Sequence, residues 1–317
     1  MKLGEIYREA IRLGIESDPR GETEVERSLE AARKELDEAK EEDKPGFDQE
    51  RLVNPYGDTR ILTGDEEAEI VKILAGIDID VGELLLADRL REKGPRIDLV
   101  LSHHPEGKAL AALDEVMHIQ EDVLHQLGVP INVAEGLLAA RIKEVHRSVL
   151  PMNHNRSVDA ARLLGLPMMC VHTPADNLVT RFLTRMFDEK SPRTVGEVVK
   201  FLKEIPEYQQ AVKTKAGPQI IVGSDKNRAG KVFVDMTGGT SGSEEVYSRL
   251  AQNGIGTIVG MHMPEKHRQE AEKNHVNVVI AGHLASDSIG LNLFLDQLEN
   301  RGVSIVPCSG LIRVRRQ

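Results

Sequence analysis

From Val71 onward the chain alternates short apolar runs with amphipathic stretches, and the two periodicities place elements along it. Residues 72–80, Lys-Ile-Leu-Ala-Gly-Ile-Asp-Ile-Asp, read as a strand, 81–93 as a helix and 97–102 as a second strand, the signature of a parallel-sheet unit with a helical crossover. Helical spacing then runs through 109–127, 133–149 and 157–164 before another apolar run at 167–171, so a long helical insertion separates two strands. After Ser191 the alternation resumes with a helix at 195–205, strands at 219–222 and 231–236, and a helix at 243–252. A strand at 256–260, a helix at 265–274, a strand at 276–281, a helix at 291–299 and a strand at 303–306 complete it. One soft boundary falls at 188–194, where Ser191-Pro192 breaks a helix. No sequence repeat or low-complexity tract is visible. The pattern predicts an α/β protein with mainly parallel sheets flanked by helices. Residues 1–53 form an acidic helical extension, 54–190 a first α/β half carrying the insertion, and 191–317 a second α/β half.

Composition narrows the function classes. The chain has 317 residues, 40% hydrophobic and 29% charged, enough for one large or two ordinary domains with real cores. Aromatic residues make up only 3%, with no Trp, which leaves little material for stacking bases of a single strand. A net charge of −10 also lacks the basic balance of a general nucleic-acid binder, so long nucleic acids are excluded as partners. Cys170 and Cys308 are too few for a disulfide framework, no basic-then-apolar leader follows Met1, and no apolar run has membrane-spanning length. The expectation is a cytoplasmic protein with no membrane partner. The charge is also unevenly placed: residues 16–50 carry 14 acidic and six basic side chains, an excess of eight, so the rest is nearly neutral. Within that stretch Val25, Leu29, Ala32 and Leu36 recur at helical spacing, which reads as a solvated helix packed by one stripe or as an interaction arm, away from any chemistry.

The candidate chemistry lies at strand ends. His103 and His104 follow the second strand directly, at the carboxyl edge where open α/β sheets place ligands. Cys170-Val-His172-Thr-Pro-Ala-Asp176 again puts a His at a strand end with a carboxylate four residues on, and Ala281-Gly-His283-Leu-Ala-Ser-Asp287 does so a third time. Three strand ends thus supply four imidazoles and two carboxylates, ligand types suited to Zn, Fe or Mn, and carboxylates can bridge two ions. Each element alone has a plainer reading, His172 and His283 as half-buried histidines and Asp176 and Asp287 as helix caps. The threefold repetition of context favours ligation.

These motifs resemble the dinuclear-metal family known as GTP cyclohydrolase I type 2, or NGG-interacting-factor-three-like proteins. The resemblance rests on Asp98-Leu-Val-Leu-Ser-His-His-Pro105, His172-Thr-Pro-Ala-Asp176 and Gly282-His-Leu-Ala-Ser-Asp287, with support from Asn54-Pro-Tyr-Gly57 and Gly238-Gly-Thr-Ser-Gly242, and spans roughly residues 54–317. It implies two divalent metal ions in a cleft between two α/β halves, with His103, His104 and His283 as terminal ligands, His172 beside them, and Asp176 and Asp287 as bridges. It also implies a homo-oligomer, commonly a toroidal hexamer. Two departures stand out. The family usually carries Glu where this chain has Asp287, shorter by about 1.5 Å of reach, which leaves Asp287 to serve one ion or to bridge two from a shifted backbone. The interval from His104 to His172 is also longer than usual.

Two neighbouring features complete the reading. Gly238, Gly239, Thr240, Ser241 and Gly242 leave a strand and open a helix, where backbone amides can receive a phosphate or carboxylate, or where glycines merely make a tight turn. His262, in Gly260-Met-His-Met-Pro264, sits at a strand end as a candidate acid/base group or a capping residue. His118, His125, His146, His154, His267 and His275 read as surface or packing residues. The function expected is a metal-dependent hydrolase acting on a phosphoester or nucleotide-like small molecule. A metal-binding or regulatory assembly protein without turnover is the alternative. A nucleotide-dependent oxidoreductase is disfavoured, since no G-x-G-x-x-G follows the first strand.

Overall fold

The computed structural model of the chain describes residues 1–94 and 96–316. Its strands are β1 (Arg60–Thr63), β2 (Lys72–Gly76), β3 (Leu99–Ser102), β4 (Met168–Cys170), β5 (Gln219–Val222), β6 (Lys231–Asp235), β7 (Ile255–Gly260), β8 (Asn277–Ile280) and β9 (Ser304–Cys308). Its helices are α1 (Leu3–Glu16), α2 (Glu22–Glu38), α3 (Val81–Lys93), α4 (Gly107–Ala111), α5 (Ile119–Gln126), α6 (Ile131–Val149), α7 (Arg156–Leu163), α8 (Thr173–Lys190), α9 (Val195–Leu202), α10 (Pro206–Lys213), α11 (Val246–Gln252), α12 (Glu265–Lys273) and α13 (His283–Glu299).

The strands form two sheets, in the orders β1-β4-β3-β2-β9 and β5-β8-β7-β6. Each is parallel except for one edge strand, β1 against β4 and β5 against β8. Alternation along the strands sorts the first sheet's faces: Leu74, Val100 and Met168 pack against α3 and α7, while Ile73, Leu99, Leu101 and Met169 meet α1, α8 and α13. Val234, Val259 and Val279 of the second sheet lie against α8, α9, α10 and α13, and Ile258 and Val278 face α5, α6, α11 and α12. Helices α8 and α13 therefore lie between the sheets and contribute to both cores. A helix so placed must be apolar around most of its circumference, as α13 is.

This arrangement confirms the two-sheet α/β class and corrects several details. The last strand, grouped with the second half from its place in the sequence, pairs in parallel with β2 of the first sheet. Parallel pairing is long-range, so an apolar run at the end of the chain carries no sign of which sheet it joins. The inserted helices α5 and α6 pack on the second sheet although they fall between two strands of the first. Two elements escaped the hydrophobic pattern: β1, a four-residue edge strand that starts with the buried Arg60, and α10, an eight-residue helix opened by Pro206. Helix α13 begins at His283 and not near 291, because Ser286, Asp287 and Ser288 interrupt the apolar spacing while being fully buried. Ser286 pairs with Tyr208, and Ser288 accepts from the Ile312 amide. Finally, α1 buries Leu3, Ile6 and Ala10 in the first sheet's core, and Asp18 and Arg20 in the following turn form a buried ion pair.

Candidate metal centre

Each of the two sheets ends its parallel strands at the same place, where α8 and α13 begin. Strand β2 stops at Gly76, because Asp80 accepts from the Val81 amide and heads α3, so Asp78 lies in the loop beyond the sheet. At the end of β3 the amides of His103 and His104 donate to the carbonyls of Gly76 and Ile77, at 2.9 Å each, which fixes the backbone of the vicinal pair. His172 precedes α8 and Asp176 lies in its first turn; His283 opens α13 and Asp287 lies one turn on. The four-residue interval seen twice in the sequence is thus the helical i,i+4 spacing, which sets His and Asp on one face. The two helices can bring their carboxylates together because Gly290 has no side chain: a Cβ there would fall on the carbonyl oxygen of Ala175.

Three overlapping groups result, each with donor atoms within 4.8 Å of one another: His103, His104 and His172; His104, His283 and Asp287; His103, Asp176 and Asp287. His103 Nδ1 donates to the Val171 carbonyl at 3.0 Å, His104 Nδ1 to Asp78 at 2.7 Å and His172 Nδ1 to Asp58 at 2.8 Å. An acceptor at Nδ1 requires the proton there, so in the neutral ring the lone pair sits on Nε2. Those Nε2 atoms converge on the carboxylates. His103 lies 3.5 Å from Asp176 Oδ1 and 3.6 Å from Asp287 Oδ1, His104 3.6 Å from Asp287 Oδ2, His283 3.5 Å from Asp287 Oδ2, and His172 3.7 Å from Asp176 Oδ2. His103 Nε2 and both oxygens of Asp287 are buried with no hydrogen-bond partner.

Buried polar atoms without partners are costly, and these gaps are too long for strong hydrogen bonds. They are close to the roughly 3.4 Å expected between two donors that share one tetrahedral ion at about 2.1 Å. The buried His/Asp groups could hold a metal ion. Burial raises the Asp176 carboxyl well above the usual range, with Asp287 and Asp58 adding to it. Burial opposes ionisation of Asp287 too, yet the imidazoles around it hold it below the ordinary value. His103 is raised by Asp287 and Asp176 against the effect of its burial. Burial and the neighbouring His103 and His172 push His104 down to about 4.

Of the other expected residues, His262 lines the same cleft, its ring 5.2 Å from that of His283 and its Nδ1 3.2 Å from the Ser241 hydroxyl. Burial, followed by His283, lowers its pKa, so it rests neutral. Gly239, Thr240, Ser241 and Gly242 line the cleft as well, while Gly238 is turned under Gln120. The loop does not open directly into a helix, since α11 starts only at Val246. Its carbonyls at 238 and 240 are held by Gln120 and that of Ser241 by Arg141. Sequence reasoning missed Asp58 and Asp78, which orient two imidazoles. The signals were faint: Asp58 follows Asn54-Pro-Tyr-Gly57, and Asp78 lay inside an apolar run read as strand. His267, taken for a surface or packing residue, is buried beside Tyr247 and also lines the cleft.

No family model and no curated protein matches the chain. Among solved structures it is similar to a NIF3 superfamily protein from Sphaerobacter thermophilus, with 26% identity over 82% of this chain and 94% of that one and a TM-score of 0.73. Reduced HcgD from Methanocaldococcus jannaschii shares the fold at 15% identity, over 84% of this chain and 94% of that one, with a TM-score of 0.52. The chain thus has the fold of a NIF3 superfamily protein, consistent with the NIF3/GTP cyclohydrolase I type 2-like family that its strand-end motifs resemble.

Proposed function

We propose that this chain holds a dinuclear metal centre and is a metal-dependent hydrolase acting on a phosphoester or nucleotide-like small molecule. The observation that carries the reading is Asp287. Its two buried, unpartnered oxygens face different imidazoles, Oδ1 toward His103 and Oδ2 toward His104 and His283, which is the disposition of a bridging carboxylate. On this reading the shorter side chain of Asp spans both groups from the start of a helix. Asp176 is placed alike between His103 and His172.

When bound, two such ions, as Zn, Fe or Mn, would lower the pKa of water and polarise a substrate oxygen. The protein's own contribution is orientation and proton handling. Asp58 and Asp78 lock the tautomers of His172 and His104, and outer partners of this kind also raise ligand basicity. His262, resting neutral with Nδ1 beside Ser241, can take up a proton at Nε2 and return it to a leaving group. Gly239 to Gly242 form the facing wall of the cleft. Assembly as a homo-oligomer, a hexamer by resemblance, and a cytoplasmic location belong to the same reading; no helix among the described residues is long and apolar enough to cross a membrane.

Metal content by plasma mass spectrometry, together with turnover of bis(p-nitrophenyl) phosphate, tests the proposal in wild type and His103→Ala. The expectation is close to two ions per chain in wild type, with a clear loss of metal and turnover in the variant. Unchanged stoichiometry in His103→Ala would sink the site. Metal without turnover would leave the non-catalytic assembly protein.

A further inference from the structure

Beside the metal cleft lies a much larger cavity, of about 820 Å³ against about 80 Å³ for the cleft itself. The two share Asp235, Met236, Thr237, Gly242, Tyr247 and His267 in their walls, around the end of β6. The floor of the cavity is β6, an edge strand. Its walls come from α8, α11, α5 and the turn after α1, with Leu124, Phe187, Val246 and Leu250 giving an apolar middle. That turn brings Asp18 to the cavity wall, so the acidic amino-terminal stretch is less remote from the site than its sequence position suggests.

The charged groups of its wall include a carboxylate at the end of β6 and two cations farther from the cleft. Asp235 sits at the cleft end. Its side chain is exposed to the cavity and has neither a hydrogen bond nor an ion pair among the described residues. Lys231 lies four residues back along β6, about 13 Å away at strand rise. Arg185 lies nine residues beyond Asp176 on α8, again about 13 Å at helical rise. Both cations line the cavity and lack an ion-pair partner among the described residues; Glu16, Asp18 and Asp188 line it as well. Arg181, by contrast, is tied to the Glu16 carbonyl and the Ser17 hydroxyl.

We propose that this cavity binds the organic body of the molecule that reaches the metal centre, and that Asp235 selects its head group. The ligand is an elongated small molecule with planar N–H donors at one end, an apolar middle, and an acidic tail answered by Lys231 and Arg185. The volume suits a ligand of this class, since small-molecule pockets run from roughly 300 to 1,000 Å³. A planar pair of N–H groups matches a carboxylate in two parallel hydrogen bonds, as a guanidinium does. The inference rests on the metal-centre reading only for which end of the ligand reacts.

Calorimetric titration of the metal-loaded protein with benzamidine, benzamide, benzoate and 4-(4-amidinophenyl)butanoate tests it. Benzamidine should bind at least about tenfold more tightly than benzamide, the scale of a charge-assisted hydrogen bond, and the butanoate tail should tighten binding further. Asp235→Asn should erase the preference for the amidine with metal content unchanged, and Lys231→Glu should erase only the gain from the tail. Both are conservative or exposed changes, and thermal melts check that the variants fold. Benzoate can bind a metal directly, so its titration is repeated after chelation. Equal binding of benzoate and benzamidine to the chelated protein, retention of the preference in Asp235→Asn, or no binding by any of the four would overturn the proposal. His103→Ala separates the two readings. Loss of metal with the amidine preference intact supports both, whereas retained metal defeats the centre and leaves the cavity standing.

Discussion

Strands β2, β3 and β4 of the first sheet and β6, β7 and β8 of the second run in the same direction and the same order, each set with an antiparallel edge strand beside its third member. The parallels extend to the site. Gly76 pairs with Ser102 as Asp235 pairs with Gly260, so His104 and His262 occupy equivalent places two residues beyond their strands. Both third strands run into a long helix with His and Asp one turn apart. The chemistry nevertheless differs. In the first half the vicinal pair is His103-His104, and the second imidazole is held by a carboxylate, Asp78. In the second half the same positions are Met261-His262, and the imidazole meets only the Ser241 hydroxyl. Strand β9 covers the outer edge of β2, whereas the equivalent edge of β6 forms the floor of the large cavity. On the proposed reading one topology serves two jobs: the first half contributes most of the clustered His and Asp side chains, and the second contributes one His, Asp287 and the space for a ligand.

Exchanging charge for amide at the two paired carboxylates probes this division most strongly. Asp287 of the second half faces three imidazoles and Asp176 of the first faces two. Asp287→Asn should therefore weaken metal binding by at least about 100-fold, and Asp176→Asn by less, given that even outer partners of a ligand cost about 10- to 100-fold. Competition with a chromogenic chelator measures both, and equal losses would deny Asp287 its central place. The next effect concerns the partners at Nδ1. Asp58→Asn should lower affinity by about tenfold, while Ser241→Ala should leave metal affinity unchanged and lower turnover, because His262 is not among the clustered donors.

The smallest effect is a dependence of stability on pH. His104, lowered to about 4, excludes in the folded metal-free protein a proton that the unfolded chain binds. Its contribution is present above the ordinary imidazole value of about 6.5 and is lost as pH falls toward 4, by at most about 1.4 kcal/mol per pH unit. Asp176, raised by burial, pulls the opposite way in this window, since its folded form keeps a proton that the unfolded chain has released. The difference between wild type and His104→Gln in urea unfolding at pH 5 and pH 7 isolates the histidine. His262→Gln should change the slope less, and equal changes would mean that the two strand ends are electrostatically alike.

The elements that carry the donors were readable where the chemistry was local. A strand followed by His-His, and His with Asp four residues on, are short-range patterns, and the helical face they imply needs no knowledge of the rest of the chain. The orienting carboxylates were not readable: Asp58 and His172 are separated by more than a hundred residues, and only the antiparallel pairing of β1 with β4 brings them together. The start of α13 was obscured for a related reason, since buried serines look like loop until Tyr208 and the carboxyl-terminal segment satisfy them.

By itself the sequence determined the α/β class and most of the strand and helix positions, and it pointed to the six His and Asp side chains that the fold gathers in one cluster, because periodicity and spacing act over a few residues. Tertiary structure decided which sheet β9 joins, that α5 and α6 pack across the molecule on the second sheet, and that Asp235, without a partner among the described residues, looks into a cavity beside the His/Asp cleft. These depend on contacts between residues far apart in the chain, where shape and burial choose the partner and a linear pattern leaves the choice open.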